Sequence, residues 1–240
     1  MDTIKINKKQ ALMVAHRGAS AMEKENTHAA FVAAGNRSYF GIETDVHRTL
    51  DGKFVCFHDD TTKRVAIDDM VVEQTTFDTL RSLVLTDLDG TKGRTDLRMP
   101  TLQEYIRICK KYEKTCVLEL KNAFEEDDIR RIVYIISEEN YLNEVIFISF
   151  NFDNMVHLRR MLPEQRLQFL TGKEVTDELI VKLKENNLDL DIRYTMLTEE
   201  VIAKLHENGI KVNCWTVDKA EDAAQLIEWG IDFITSNVLE

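Results

Sequence analysis

Short runs of β-branched and apolar residues alternate along this chain with longer stretches of helical period, and that alternation admits few folds. Runs at 12–15, 41–46, 115–120, 145–149, 167–170, 188–192, 211–216 and 233–235 read as strands. Between them, 27–36, 101–111, 125–139, 152–161, 176–186, 198–208 and 219–229 read as helices. Strand then helix, repeated, is the pattern of βα units feeding a parallel sheet. Each helix needs one apolar face for that sheet. In 198–208, Val201, Ile202 and Leu205 fall at i, i+1 and i+4, while Glu199, Glu200 and Lys204 take the other side. Eight strands close a (β/α)8 TIM-type barrel, and 240 residues is close to the roughly 250 usual for that fold as one domain. The expected organisation is one α/β barrel domain over 1–240 with a single interruption.

The interruption runs from about 47 to 100. It begins with HRTLDGKFVCFHD, a hairpin pattern turning at Asp51-Gly52, and continues as a polar, irregular stretch to GTKGRTD. It is expected to be an insertion after the second strand.

Charge narrows the partners. A net charge of -11 opposes nucleic acid and anionic lipid surfaces, whose binding depends on clustered Lys and Arg. The N-terminal apolar run is too short for a secretory leader, and no run approaches the ~18 apolar residues of a membrane span. An unanchored cytoplasmic protein is expected, its oligomeric state open. Cys56, Cys109, Cys116 and Cys214 sit singly in apolar runs, without the close pairing of a zinc or redox motif, and read as reduced core residues.

The polar residues at the ends of the predicted strands carry the chemistry, because barrel active sites are built at the carboxyl ends of the strands. The first strand runs into His16-Arg17-Gly18: a proton-moving imidazole, a phosphate-gripping guanidinium and a residue free to turn sharply. In the second, Glu43-Thr44-Asp45 puts two carboxylates on one face by the period-2 rule. Buried together they repel, so they call for a cation, and oxygen ligands suit Mg²⁺ or Ca²⁺ better than zinc. His47 shares that face if the strand continues. The hairpin returns a second histidine at His58-Asp59. In the next strand Leu118-Glu119-Leu120-Lys121 repeats the device, adding a third carboxylate and a second phosphate cation.

Taken together, these segments resemble the glycerophosphodiester phosphodiesterase family. The likeness lies in His16-Arg17-Gly18-Ala19-Ser20, Glu25-Asn26-Thr27, Glu43-Thr44-Asp45-Val46, Thr49-Leu50-Asp51-Gly52, His58-Asp59, Arg64, Pro100-Thr101-Leu102, Glu119-Leu120-Lys121, Trp215-Thr216-Val217 and Ile234-Thr235-Ser236-Asn237, in the family's order. It implies a (β/α)8 barrel that hydrolyses small glycerophosphodiesters to glycerol 3-phosphate and an alcohol, using one divalent cation. It also implies roles: Glu43, Asp45 and Glu119 as metal ligands, His16 and His58 as the acid/base pair, Arg17 and Lys121 as phosphate contacts, and Trp215 packing on the glycerol. Lys24 stands where the family usually has proline, which bears on that loop's shape, and the close at Val238-Leu239-Glu240 bears on one pocket wall. The resemblance leaves open the alcohol, the choice of Mg²⁺ or Ca²⁺, and which histidine is acid and which base.

Two other readings compete. Leu83 to Thr91, with Asp87 and Asp89, resembles the first motif of haloacid-dehalogenase-like phosphatases, in which the first Asp is the nucleophile. It would leave His-Arg-Gly and Glu-Thr-Asp unexplained. Alternatively the barrel binds a phosphoester without turning it over. His28, His157 and His206, within predicted helices and lacking partner motifs, are expected to be surface or packing residues.

Overall fold

In the computed structural model, which describes residues 2–240, every predicted strand and helix forms within two residues of its expected limits. The strands are β1 (Leu12–Ala15), β2 (Gly41–Arg48), β3 (Phe54–Cys56), β4 (Thr115–Leu120), β5 (Val145–Ser149), β6 (Arg166–Thr171), β7 (Asp189–Arg193), β8 (Val212–Trp215) and β9 (Phe233–Ser236). All but β3 pair in parallel in the order β1, β2, β4, β5, β6, β7, β8, β9. The sheet closes where Leu12 of β1 lies opposite Phe233 of β9 and Ala15 opposite Ser236. This is the TIM barrel, and β3 is an extra strand lying antiparallel on the end of β2.

The helices are α1 (His28–Gly35), α2 (Phe77–Ser82), α3 (Leu102–Lys111), α4 (Glu126–Glu138), α5 (Phe152–Met161), α6 (Asp177–Glu185), α7 (Glu199–Glu207) and α8 (Ala220–Glu228). Their starts are set by local chemistry. Thr27, Thr101, Thr176 and Thr198 each accept from a backbone N–H in the first turn, and Thr101 with Glu104 completes a reciprocal capping box. Alternation along the strands then sorts the side chains. Leu118 and Leu120 of β4 join Ile42, Phe147 and Ile202 in the core between sheet and helices. Val14, Val117, Ile146, Ile148, Leu170 and Phe233 fill the barrel interior. Inward residues further along the same strands, such as His16 and Glu119, are polar.

The expectation of a polar, irregular insertion needs correction. The hairpin forms, with Gly52 donating to the Thr49 carbonyl. Beyond it, Val55, Phe57, Val65, Val72, Leu80, Leu85, Leu97 and Met99 bury themselves in a separate apolar cluster. The insertion carries its own small core, and α2 is part of it.

All four cysteines are buried and unpaired to one another. Among the described residues no helix is long and apolar enough to cross a membrane.

Candidate active site

The carboxyl end of β1 fixes the first part of the site. Arg17 and Gly18 both have positive φ, and a Cβ on Gly18 would lie 2.6 Å from the Ala30 carbonyl carbon of α1. Only glycine allows this turn against the helix. The turn aims the Arg17 N–H at Glu43 Oε2, 2.8 Å away.

Glu43 and Asp45 point inward from β2 as alternation requires, and Glu119 meets them from β4, where Asp45 and Glu119 are register partners. One oxygen from each lies within 4.8 Å of the others, and all three residues are buried. Burial and the neighbouring Asp45 push Glu43 well above the usual carboxylate range and Glu119 up to about 8. Asp45 is held at about 2: burial works against its charge, but Lys121 and Arg17 outweigh it. Lys121 Nζ lies 2.9 Å from Glu119 and 3.5 Å from Asp45, and Arg17 Nε lies 3.6 Å from Asp45. Asn26 also donates to Asp45. Three buried, hard, anionic oxygen donors so close suit a divalent cation such as Mg²⁺ or Ca²⁺, which would relieve the repulsion that raises Glu43 and Glu119.

The two histidines are held differently. His16 Nδ1 is 2.8 Å from Asn237 Oδ1. The amide is oriented by Asp218, which takes its Nδ2–H and can only accept. Nδ1 of His16 therefore carries the proton and Nε2 is free. Burial first, then Arg17, pushes His16 down to about 4. His58 Nδ1 donates to Asp59 Oδ1 at 2.6 Å. Burial lowers His58 too, while Asp45 and Asp59 favour its charged form. Arg64 ties Asp59 to Glu25, and Glu25 pairs with Arg17, so one chain of ion pairs runs from His58 to the phosphate-gripping candidate. His47 does share the inward face of β2. It supports rather than lines the site, with Nε2 3.3 Å from the His58 carbonyl and Nδ1 3.0 Å from Glu73.

A cavity of about 270 Å³ opens here, lined by His16, Arg17, Glu43, His58 and Glu119 on one side and by Phe150, Asp191, Trp215 and Thr235 on the other. Phe150 stands edge-on to Trp215, ring centroids 5.7 Å apart. The structure thus brings together every residue singled out from the strand ends, with Asp45 and Lys121 just behind the cavity wall.

The glycerophosphoryl diester phosphodiesterase family model matches residues 16–240. The chain belongs to that family. A glycerophosphodiester phosphodiesterase of Caldanaerobacter subterraneus subsp. tengcongensis is 29% identical over 234 residues, covering 95% of this chain and 94% of its own. Among solved structures, an Oleispira antarctica phosphodiesterase in complex with the product sn-glycerol-3-phosphate matches at TM-score 0.86 and 26% identity, covering 98% of this chain and 96% of the other. A glycerophosphodiester phosphodiesterase from Parabacteroides distasonis matches at 0.80 and 26%, covering 95% and 93%.

For this family member the departures noted in the sequence fall away from the acid/base and metal candidates. Lys24 reaches across to Thr86 of the insertion. Val238 and Glu240 hydrogen-bond through their backbones with Ile4 and Ile6, the Leu239 N–H donates to the Ser236 hydroxyl, and none of the three lines the cavity. Asp87 does not sit at the end of a barrel strand: it closes a turn in the insertion, accepting from Gly90 and lying 3.5 Å from Arg94. The dehalogenase-like reading has no site there. His28 and His206 pair with Glu104 and Asp232 at the helical surface. Sequence reasoning missed Asn237 and Asp59 as histidine partners, and missed Asp191. The last was readable, since Leu190-Asp191-Ile192 repeats the pattern of Leu118-Glu119-Leu120.

Proposed function

We propose that this chain hydrolyses small glycerophosphodiesters to sn-glycerol 3-phosphate and an alcohol, with one Mg²⁺ or Ca²⁺ held by Glu43, Asp45 and Glu119. The observation that carries the reading is the convergence of that buried carboxylate triad with two differently held histidines, His16 and His58, on one cavity. When bound, the cation would supply positive charge for the phosphoryl oxygens. Arg17 and Lys121 supply the rest, and Trp215 gives the glycerol carbons an aromatic wall.

The hydrogen-bond partners support one assignment of the histidines. His16 faces a neutral amide that does little for an imidazolium, and its Nε2 lone pair is free, so it is the base. His58 faces a carboxylate that favours the imidazolium, so it is the acid. His16 takes the proton of the glycerol C2 hydroxyl as that oxygen attacks phosphorus. His58 gives its proton to the alcohol oxygen as the bond from phosphorus to that oxygen breaks. A cyclic phosphate results. His58, now neutral, then takes a proton from water as the water oxygen attacks phosphorus, and His16 returns its proton to the C2 oxygen. Each group of this kind contributes roughly 10²–10⁴ in rate.

The reading treats 1–240 as one domain acting on dissolved substrate, without membrane anchoring, in the cytoplasm. The acidic net charge, which opposes anionic lipid surfaces, supports the dissolved substrate. The test strips the protein of metal, restores Mg²⁺ or Ca²⁺, and follows sn-glycerol 3-phosphate release from glycerophosphocholine and glycerophosphoethanolamine. Cation-dependent release is expected. Binding of either compound without release, with either cation supplied, would contradict the reading and favour a binding module.

A further inference from the structure

Arg17 Nε, Asp191 Oδ1 and Trp215 Nε1 are buried at the cavity without a hydrogen-bond partner in the protein. Arg17 has a role in the reading above. The other two do not, beyond the packing of the Trp215 ring.

Asp191 is 2% exposed and lies between Leu190 and Ile192, which face the helix-side core, so its carboxyl faces the barrel interior. Its polar neighbours are occupied with one another: Asn213 donates to Gln168 at 3.0 Å, and Thr235 donates to Asn213 at 3.2 Å. It stands outside the three carboxylates that meet within 4.8 Å. An unpaired buried carboxyl weighs against the fold unless a ligand satisfies it.

Asp191 opposes Asn213 in the pairing of β7 with β8, and Arg193 opposes Trp215. Asp191 and Trp215 therefore face inward from adjacent strands, one inward position apart. One is an acceptor and the other a donor only. A hydroxyl donates and accepts at once, so it serves both. Phosphate oxygens have Arg17 on the opposite wall of the cavity, and an ammonium has nothing to offer the indole N–H.

We infer that Asp191 and the Trp215 indole N–H together recognise the C1 hydroxyl of the glycerol moiety, and so select glycerol phosphodiesters over those lacking that hydroxyl. The inference rests on the proposed function, in which the C2 hydroxyl is committed to attack on phosphorus and the C1 hydroxyl is the one left to be recognised.

Calorimetry on the cation-loaded protein tests it, using sn-glycerol 3-phosphate and the stereochemically matched propane-1,2-diol 1-phosphate, which lacks the C1 hydroxyl. The wild type should prefer the glycerol compound about 10- to 100-fold, the usual range for a buried polar pair left unmet. Asp191→Leu should bind both alike, with its affinity for the propanediol compound unchanged, and should melt no lower than wild type. Asp191→Asn keeps an acceptor and should keep the preference. Trp215→Phe keeps the ring, loses the donor and should weaken the preference. Equal binding of the two ligands by wild type, or an undiminished preference in Asp191→Leu, would overturn the inference. Wild type binding neither ligand would instead remove the proposed function beneath it.

Discussion

Glu119→Gln should stabilise the metal-free protein at neutral and alkaline pH. Glu119 is raised from the ordinary 4.5 to about 8 by burial and by Asp45. A group raised on folding holds its proton longer in the native state, so stability is fully present below about 4.5 and is lost as pH rises through about 8. Gln stays neutral throughout and escapes that loss. At about 1.4 kcal/mol per pH unit, wild type gives up on the order of 1 kcal/mol at pH 5, 3 at pH 7 and 4 at pH 8. His16, lowered from 6.5 to about 4, loses stability as pH falls through that window, but it does so in both proteins and cancels in the difference. For a domain of this size 1 kcal/mol is about 2–4 °C in Tm. The gap between variant and wild type in chelator should therefore widen by about 6–12 °C from pH 5 to pH 8. A saturating cation, at a hundred times its Kd, adds about 2.7 kcal/mol. Wild type should gain about 5–10 °C from it and the variant little. Melting curves by circular dichroism decide. A gap that does not change with pH, or an equal cation shift in both proteins, would refute the reasoning.

Three further outcomes are expected. Asp59→Asn removes the carboxylate that favours the His58 imidazolium, so the basic limb of the kcat/KM profile should move to lower pH by about one unit or more; an unmoved limb would mean His58 is not the acid. Asp87→Asn should leave turnover within about twofold, since surface changes of this kind are near neutral, and a collapse of activity would revive the dehalogenase-like reading. Gly18→Ala should lower stability by about 2 kcal/mol or more, since its φ of +79° disfavours a side chain and the Cβ would strike Ala30, and an unchanged Tm would show that the turn adapts.

The barrel is legible because its signals are local. β-branched runs fit strands, threonines cap the helices, and an acid between two aliphatics marks an inward polar position, as at Glu119. The insertion is not legible for the opposite reason. Its core residues, such as Val65, Val72, Leu80 and Leu97, are scattered singly through irregular backbone, and no period announces that they meet. The carboxylate triad is within reach of the sequence because two of its members share a strand. The pairing of His16 with Asn237 spans 221 residues and depends on barrel closure, which sets β9 beside β1. The roles of acid and base therefore stay open until the fold is known, because they follow from what each imidazole touches.

The most direct test of the account compares His16→Ala and His58→Ala with wild type, measuring sn-glycerol 3-phosphate release from glycerophosphocholine and calorimetric cation binding in the same preparations. Each variant should lose at least about 10²-fold in kcat while binding the cation as wild type does. Substantial release by either variant, or loss of cation binding along with activity, would contradict a site in which the carboxylates hold the metal and the two histidines move the protons.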